Sequence, residues 1–285
     1  MSMAEIAIIG GSGVYQIEGV KIIQELDIDT PFGKPSDKIM IAEIEGKEVA
    51  FLPRHGKGHR ILPGELPVEA NVWALKSIGV RKVIAVSAVG SLKEKIKPRD
   101  FVIPSQIIDR TKNRPLSLFG KGVVGHVSFA DPFCPHLSES LYQTLKKLNL
   151  TDIHRDAAYV CMEGPQFSTK AESNLYRSWD ADIIGMTAIP EAKMFREAEI
   201  CYAMIALSTD YDCWHEEIVT VEMVIGNMKS NVENIKKALP DIIKNIEIKS
   251  CGCEQAAAFA IMTDKTMIPQ ETKQKLSLFY KKYWD

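Results

Sequence analysis

The chain has 285 residues, 46% of them apolar, which supports one sizeable core and a single domain spanning residues 1–285. Its 35 basic and 37 acidic residues leave a formal charge of -2, a balance with no polyanion-binding footprint that argues against nucleic acid as a partner. Charge or glycine interrupts every apolar window well before the roughly 18 residues of a bilayer-spanning helix, and MSMAEIAIIGG has no basic segment leading into a cleavable apolar one, so a cytoplasmic protein with no membrane partner is expected.

Residues 5–9 read as a buried strand running into the turn GGSG, and residues 39–44 and 48–52 as a hairpin around Glu45-Gly46-Lys47. A helical period follows over 69–78, then a β-branched strand over 80–87 that ends in Ala88-Val89-Gly90. Residues 101–104 form a further strand. The glycine- and proline-rich stretch 109–135 exceeds a compact connection and reads as a functional or interface loop. Helices are expected over 137–148, 168–179 and 190–199, and strands over 159–162, 183–186 and 201–208. One long helix or two cover 219–239, and an amphipathic terminal helix covers 270–283. GGSG, VSAVG, GMT and STDYD each follow a strand, which gathers them at the carboxyl edge of one α/β sheet, where such proteins bind ligands.

The residue types narrow the chemistry without fixing it. Gly10-Gly11-Ser12-Gly13 lacks both the GxGxxG spacing and the Walker lysine, so it is an anion-binding turn or a simple tight turn rather than a nicotinamide or ATP site. PRHGKGHR places Arg54, His55 and further basic groups after a strand, a set suited to phosphate; an exposed basic loop and a His55/His59 metal pair are the alternatives, the latter lacking a third ligand nearby. Cys161 and Cys201 sit in apolar runs and read as core, Cys134 and Cys213 stay open, and Cys251-Gly-Cys253 is either a disulfide or two thiols in a tail turn. In STDYDCWHEE, a continuing strand turns Asp210 and Asp212 to one side, whereas a broken one aims only one of them inward. They are a pair that recognises a base edge, or solvated carboxylates at a strand end. Enzyme stands ahead of binding module, with the reaction undecided.

In order along the chain, IIGGSGVY, LPRHGKGHRILP, EANVWALK, SAVGSL, IIDRTKNRP, DPFCP, MEGPQFSTKAES, GMTAIPEA and STDYDCWHEE resemble the 5'-methylthioadenosine phosphorylases of the trimeric purine nucleoside phosphorylase superfamily. The resemblance implies one purine nucleoside phosphorylase-like domain, with a central mixed sheet flanked by helices. It implies attack of inorganic phosphate, a co-substrate, on methylthioadenosine, giving adenine and 5-methylthioribose 1-phosphate for purine and methionine salvage. No metal or other cofactor is required. By position Ser12, Arg54, His55, Ser87, Ala88 and Thr187 match the phosphate set, Met186 the ribose contact, and Phe167 the aromatic beside the purine. Asp210 and Asp212 match the base-binding carboxylates, with Asp210 and His55 as the catalytic groups. Val221 and Val224 match the lining of the 5'-methylthio pocket, and His126 a histidine that reaches a neighbouring subunit's site in a trimer or a hexamer built of two trimers. Ser168 and Asp210 depart from the glutamate and asparagine of inosine/guanosine phosphorylases, favouring a six-amino purine; a broader enzyme acting on adenosine, inosine or guanosine is the alternative. Cys134 and Cys201 match a disulfide-forming pair, and Cys251 and Cys253 a CxC, of archaeal members from hot environments.

Overall fold

Strand β1 (Ile6–Gly10) is buried throughout, and its alternation sets the layering: Ile6 and Ile8 enter one apolar core, Ala7 and Ile9 the other. A strand buried on both faces belongs in a sheet covered on both sides, as parallel sheets are. The structure, a computed structural model, describes residues 3–11, 20–215 and 221–284. After β1 come β2 (Lys21–Leu26), β3 (Ile39–Ile44), β4 (Lys47–Pro53), α1 (Val68–Ser77), β5 (Lys82–Ser91), β6 (Phe101–Arg110), α2 (Pro135–Leu148), β7 (Ile153–Met162) and α3 (Lys170–Ser178). The chain continues through β8 (Ile183–Gly185), α4 (Ala188–Glu197), β9 (Cys201–Asp210), α5 (Val221–Asn245), α6 (Gln270–Lys275) and α7 (Ser277–Trp284).

Local chemistry accounts for several boundaries. Glu45 and Gly46 both take positive φ between the paired Ile44 and Lys47, the two-residue hairpin turn whose twist matches its strands. Helix α3 begins with a capping box: Thr169 accepts from the Glu172 amide while the Glu172 carboxylate accepts from the Thr169 amide. Pro135 occupies the first turn of α2, where its missing N–H removes no helical bond. Residues 219–239 were open to one helix or two, and a single helix runs through Pro240 to Asn245. The terminal segment expected as one helix divides instead at the buried Leu276 into α6 and α7. Strand β2 is exposed and unalternating, so no buried face marks it in the sequence.

The nine strands form one mixed sheet in the order β2-β3-β4-β1-β5-β8-β7-β6-β9, and a further pairing of β9 with β5 closes the last five into a ring. Helices α2 and α5 cover the core that holds Ile6 and Ile8. Helices α1, α4 and α7 cover the other. Strands β1, β4, β5 and β9 run parallel, so their carboxyl ends meet as expected. Strand β8 does not join that arrangement: it pairs antiparallel with β5, and GMT therefore approaches the site from the opposite direction. Among the described residues, no helix is long and apolar enough to cross a membrane.

Candidate active site

The site begins at an interruption in the hydrogen-bond ladder. Strand β5 pairs with β9 along one edge from Lys82 to Gly90, while its other edge is shared by β1, which pairs as far as Ala85, and β8, which starts at Gly90. Among the described residues, no strand lies beside residues 86–89 on that edge, a switch point of the kind at which α/β sheets bind ligands. Because β8 is antiparallel, the chain leaving it doubles back along β5 and sets Thr187 beside Ser87, hydroxyl to hydroxyl at 3.0 Å. Both side chains are buried, whereas Ala88 between them and Gly90 is exposed. Two hydroxyls and the backbone of an unpaired edge are donors suited to an anion.

Arg54 and His55 follow β4 into the same opening. The Arg54 guanidinium is buried and gives Nε to Glu191 Oε1 (2.5 Å), Nη2 to Glu191 Oε2 (3.1 Å) and to the Ile9 carbonyl (3.4 Å), and Nη1 to the Val86 carbonyl (3.0 Å). Among the described residues these bonds engage four of its five N–H groups, the fifth being on Nη1. It is a cation paired with Glu191, not the open fork that PRHGKGHR suggests. His55 Nδ1 lies 2.8 Å from the Ile61 carbonyl and can only donate to it, so the proton belongs on Nδ1 and Nε2 carries a lone pair. Burial, with the nearby Arg54 and His59, lowers the His55 pKa to about 4, keeping the ring neutral. His59 stacks on it at 4.3 Å.

That depression has a consequence for stability. Between the unfolded value of 6.5 and the folded value of about 4, the unfolded chain binds the proton and the folded chain does not, so stability rises with pH across this window and is lost on acidification. We expect wild type to lose on the order of 3 kcal/mol more than His55→Asn, whose amide can still donate to Ile61, when urea unfolding is compared at pH 7 and pH 4. Parallel pH dependences for the two proteins would contradict a neutral buried imidazole.

The carboxylates close the site from β9. Register slips between Val89↔Ser208 and Gly90↔Asp210, leaving Thr209 as the extra residue of a bulge, a device that re-aims the side chains that follow it. Asp210 Oδ2 accepts from the Thr209 hydroxyl (2.7 Å) and Oδ1 from the Asp212 amide (2.8 Å). The strand breaks at Tyr211, and Asp212 takes a left-handed backbone (φ 52°) at the start of a short 3-10 turn, yet both carboxylates are buried. Neither of the two geometries read from the sequence anticipates this arrangement. Burial raises both pKa values, opposed by the Thr209 and Asp212 bonds at Asp210 and by Ser173 and the Cys213 amide at Asp212. Gly90 supplies the room, since a Cβ there would stand 3.0 Å from Asp210 Oδ1 and 3.2 Å from Ile184.

Further residues surround this centre. Asn227 and Asn231 on α5 donate to the carbonyls of Thr209 (2.7 Å) and Ser208 (2.8 Å). Val221 and Val224 lie in the first turn of α5, the former exposed and the latter half-buried. Met186 is half-buried, Phe167 is 59% exposed, and His126 is exposed on the long segment after β6, where its amide bonds the Ala260 carbonyl. Ser12, Glu216 and Glu217 lie outside the described residues. Sequence reasoning missed Glu191, although a carboxylate within the apolar run of GMTAIPEA signals a buried partner. It also missed Arg114, which is buried and donates to the carbonyls of Met186, Ile189 (2.5 Å) and Glu163 (2.6 Å), fixing the backbone around Met186.

The chain is similar to known proteins over nearly its whole length. Residues 5–244 match the family described as the phosphorylase superfamily. The chain is 49% identical over 282 residues to S-methyl-5'-thioadenosine phosphorylase of Geobacter sulfurreducens, covering 98% of each chain. It is 50% identical over 264 residues to the same-named protein of Hyperthermus butylicus, covering 91% of this chain and 96% of the relative. A crystal structure of methylthioadenosine phosphorylase from an antarctic soil metagenomic library superposes with a TM-score of 0.94 at 46% identity, covering 98% of this chain and 99% of that one. Near-complete coverage at this identity, on a sheet whose switch point is lined by hydroxyls, a paired arginine and two buried carboxylates, places the chain in the S-methyl-5'-thioadenosine phosphorylase family of the phosphorylase superfamily.

Proposed function

We propose that the chain catalyses phosphate-dependent cleavage of 5'-methylthioadenosine to adenine and 5-methylthio-α-D-ribose 1-phosphate. The observation that carries the mechanism is the buried Asp210 carboxyl at the end of β9, its pKa raised, across β5 from the opening lined by Ser87 and Thr187. Phosphate occupies that opening, bound by the Ser87 and Thr187 hydroxyls, backbone at Ala88 and an Arg54 N–H; Ser12, outside the described residues, belongs to the same set by the family resemblance alone. The neutral His55 accepts a hydrogen bond from the P–OH of hydrogenphosphate at Nε2, the proton staying on phosphate, and so turns an unprotonated oxygen toward the sugar.

As the phosphate oxygen bonds to the anomeric carbon, the bond to purine N9 breaks and its electron pair passes to the base. Protonated Asp210 donates to N7 of the departing adenine, while Asp212 supports Asp210 and accepts from the six-amino group. The phosphate anion offsets positive charge developing on the ribose. Met186 packs against the sugar, Phe167 against the purine, and Val221 and Val224 against the methylthio group. The apolar exposure of Phe167 and Val221 supports a homo-oligomer, a trimer or two stacked trimers, in which His126 reaches a neighbouring site. The products connect purine and methionine salvage, and the cytoplasm is the compartment this chemistry suits.

Purified protein should release adenine from methylthioadenosine only when phosphate is present, with kcat/KM above that for adenosine, inosine and guanosine. Absence of adenine above the enzyme-free control would overturn the reading. Matched specificity constants across the panel would make it a broad purine nucleoside phosphorylase instead.

A further inference from the structure

At the opposite end of β9 from Asp210, four sulfurs converge. Cys134 lies just before α2, Cys201 opens β9, and Cys251 and Cys253 come from the segment after α5. Their Sγ atoms all lie within 4.8 Å of one another, with Cys201–Cys251 at 3.1 Å and Cys134–Cys251 at 3.7 Å. Cys134 and Cys201 thus come together as the resemblance implies, but the other two join them and all four are free thiols. Two disulfides would account for all four sulfurs, but each of the four is a free thiol. Four converging from three separate parts of the chain describe a polyhedron, and a tetrahedral zinc thiolate with Zn–S near 2.3 Å has sulfur–sulfur edges of about 3.8 Å.

We infer that Cys134, Cys201, Cys251 and Cys253 form a structural tetrathiolate site for a zinc ion, which ties the segment after α5 to the sheet. The ion replaces four S–H protons by four Zn–S bonds, with no electron transfer. Three of the cysteines are buried within the apolar core beneath α2 and α5, which excludes competing water. The surroundings also temper the negative charge of four thiolates. Arg196 Nη1 lies 3.8 Å from Cys253 Sγ. Nine residue steps along β9 separate Cys201 from Asp210, about 30 Å at strand rise, so the ion takes no part in the reaction.

The test uses the full chain, reduced with a phosphine, stripped of metal and titrated with cobalt(II). We expect one cobalt per chain with the intense visible bands of a tetrahedral thiolate, displaced by zinc. A zinc-dependent rise in Tm of roughly 5–10 °C should follow at saturation. Cys251→Ser should lose both responses while retaining nucleoside cleavage, which also establishes that the variant folds. The proposal fails if wild-type protein with free, titratable thiols gives neither the bands nor the Tm rise, or if Cys251→Ser keeps both. Disulfides that resist reduction and leave no thiols to bind metal would also overturn it.

Discussion

Asp210→Asn lowers methylthioadenosine turnover by about 100- to 10,000-fold, the range associated with loss of a positioned proton donor. The asparagine can occupy the same space. Its oxygen accepts the Asp212 amide, and its nitrogen faces the Thr209 hydroxyl, which can turn to donate to the Val89 carbonyl 3.2 Å away. What it cannot do is transfer a proton to N7. Once its proton has passed to N7, the Asp210 carboxylate opposes a nearby six-oxo group, where asparagine keeps an N–H, so inosine improves relative to methylthioadenosine even as both absolute rates fall. Comparing kcat and KM for the two nucleosides in phosphate buffer separates these effects. An unchanged substrate ratio would mean that Asp210 does not contact the purine.

Glu191→Gln is expected to cost about 3–5 kcal/mol of stability, the penalty for leaving a buried cation without its anion. Three donors converge on this carboxylate: Arg54 Nε, Arg54 Nη2 and the Tyr202 hydroxyl at 2.9 Å. An amide keeps one acceptor and turns the other position into a fourth donor, so repulsion adds to the missing charge. Arg54 is among the largest fully buried side chains, so bulk water does not replace the lost carboxylate. Urea unfolding at pH 7 measures the effect, and a change below about 1 kcal/mol would show that the guanidinium finds other partners. Because the pair holds Arg54 against Val86, phosphate KM should rise as well.

The architecture was legible where burial leaves a periodic trace. The apolar run of β1, the β-branched run of β5 and the strand run of β9 follow from local chemistry, and the strand ends assemble Arg54, Ser87 and Asp210. Strand direction was not legible, because Ile-Ile-Gly in β8 contains nothing to separate a parallel from an antiparallel neighbour. The bulge at Thr209 was equally hidden, since it is a mismatch between two strands rather than a property of either. Single-residue chemistry identified Asp210 and Arg54 as candidates but could not supply their partners. Glu191 lies 137 positions from Arg54, and only the folded chain reveals that the cation is already neutralised.

The missing neighbour along residues 86–89 of β5 has a further meaning. A sheet edge left unpaired on the outside of a protein invites another chain to dock there, and folds commonly blunt such edges. Among the described residues the gap lies between β1 and β8, too short for a strand, with the Arg54 guanidinium at Val86 closing part of it. On the proposed function an anion seated there would bridge two parts of the sheet that approach from opposite directions. Capture of the ligand and completion of the sheet are then a single event, and affinity for one is cohesion for the other.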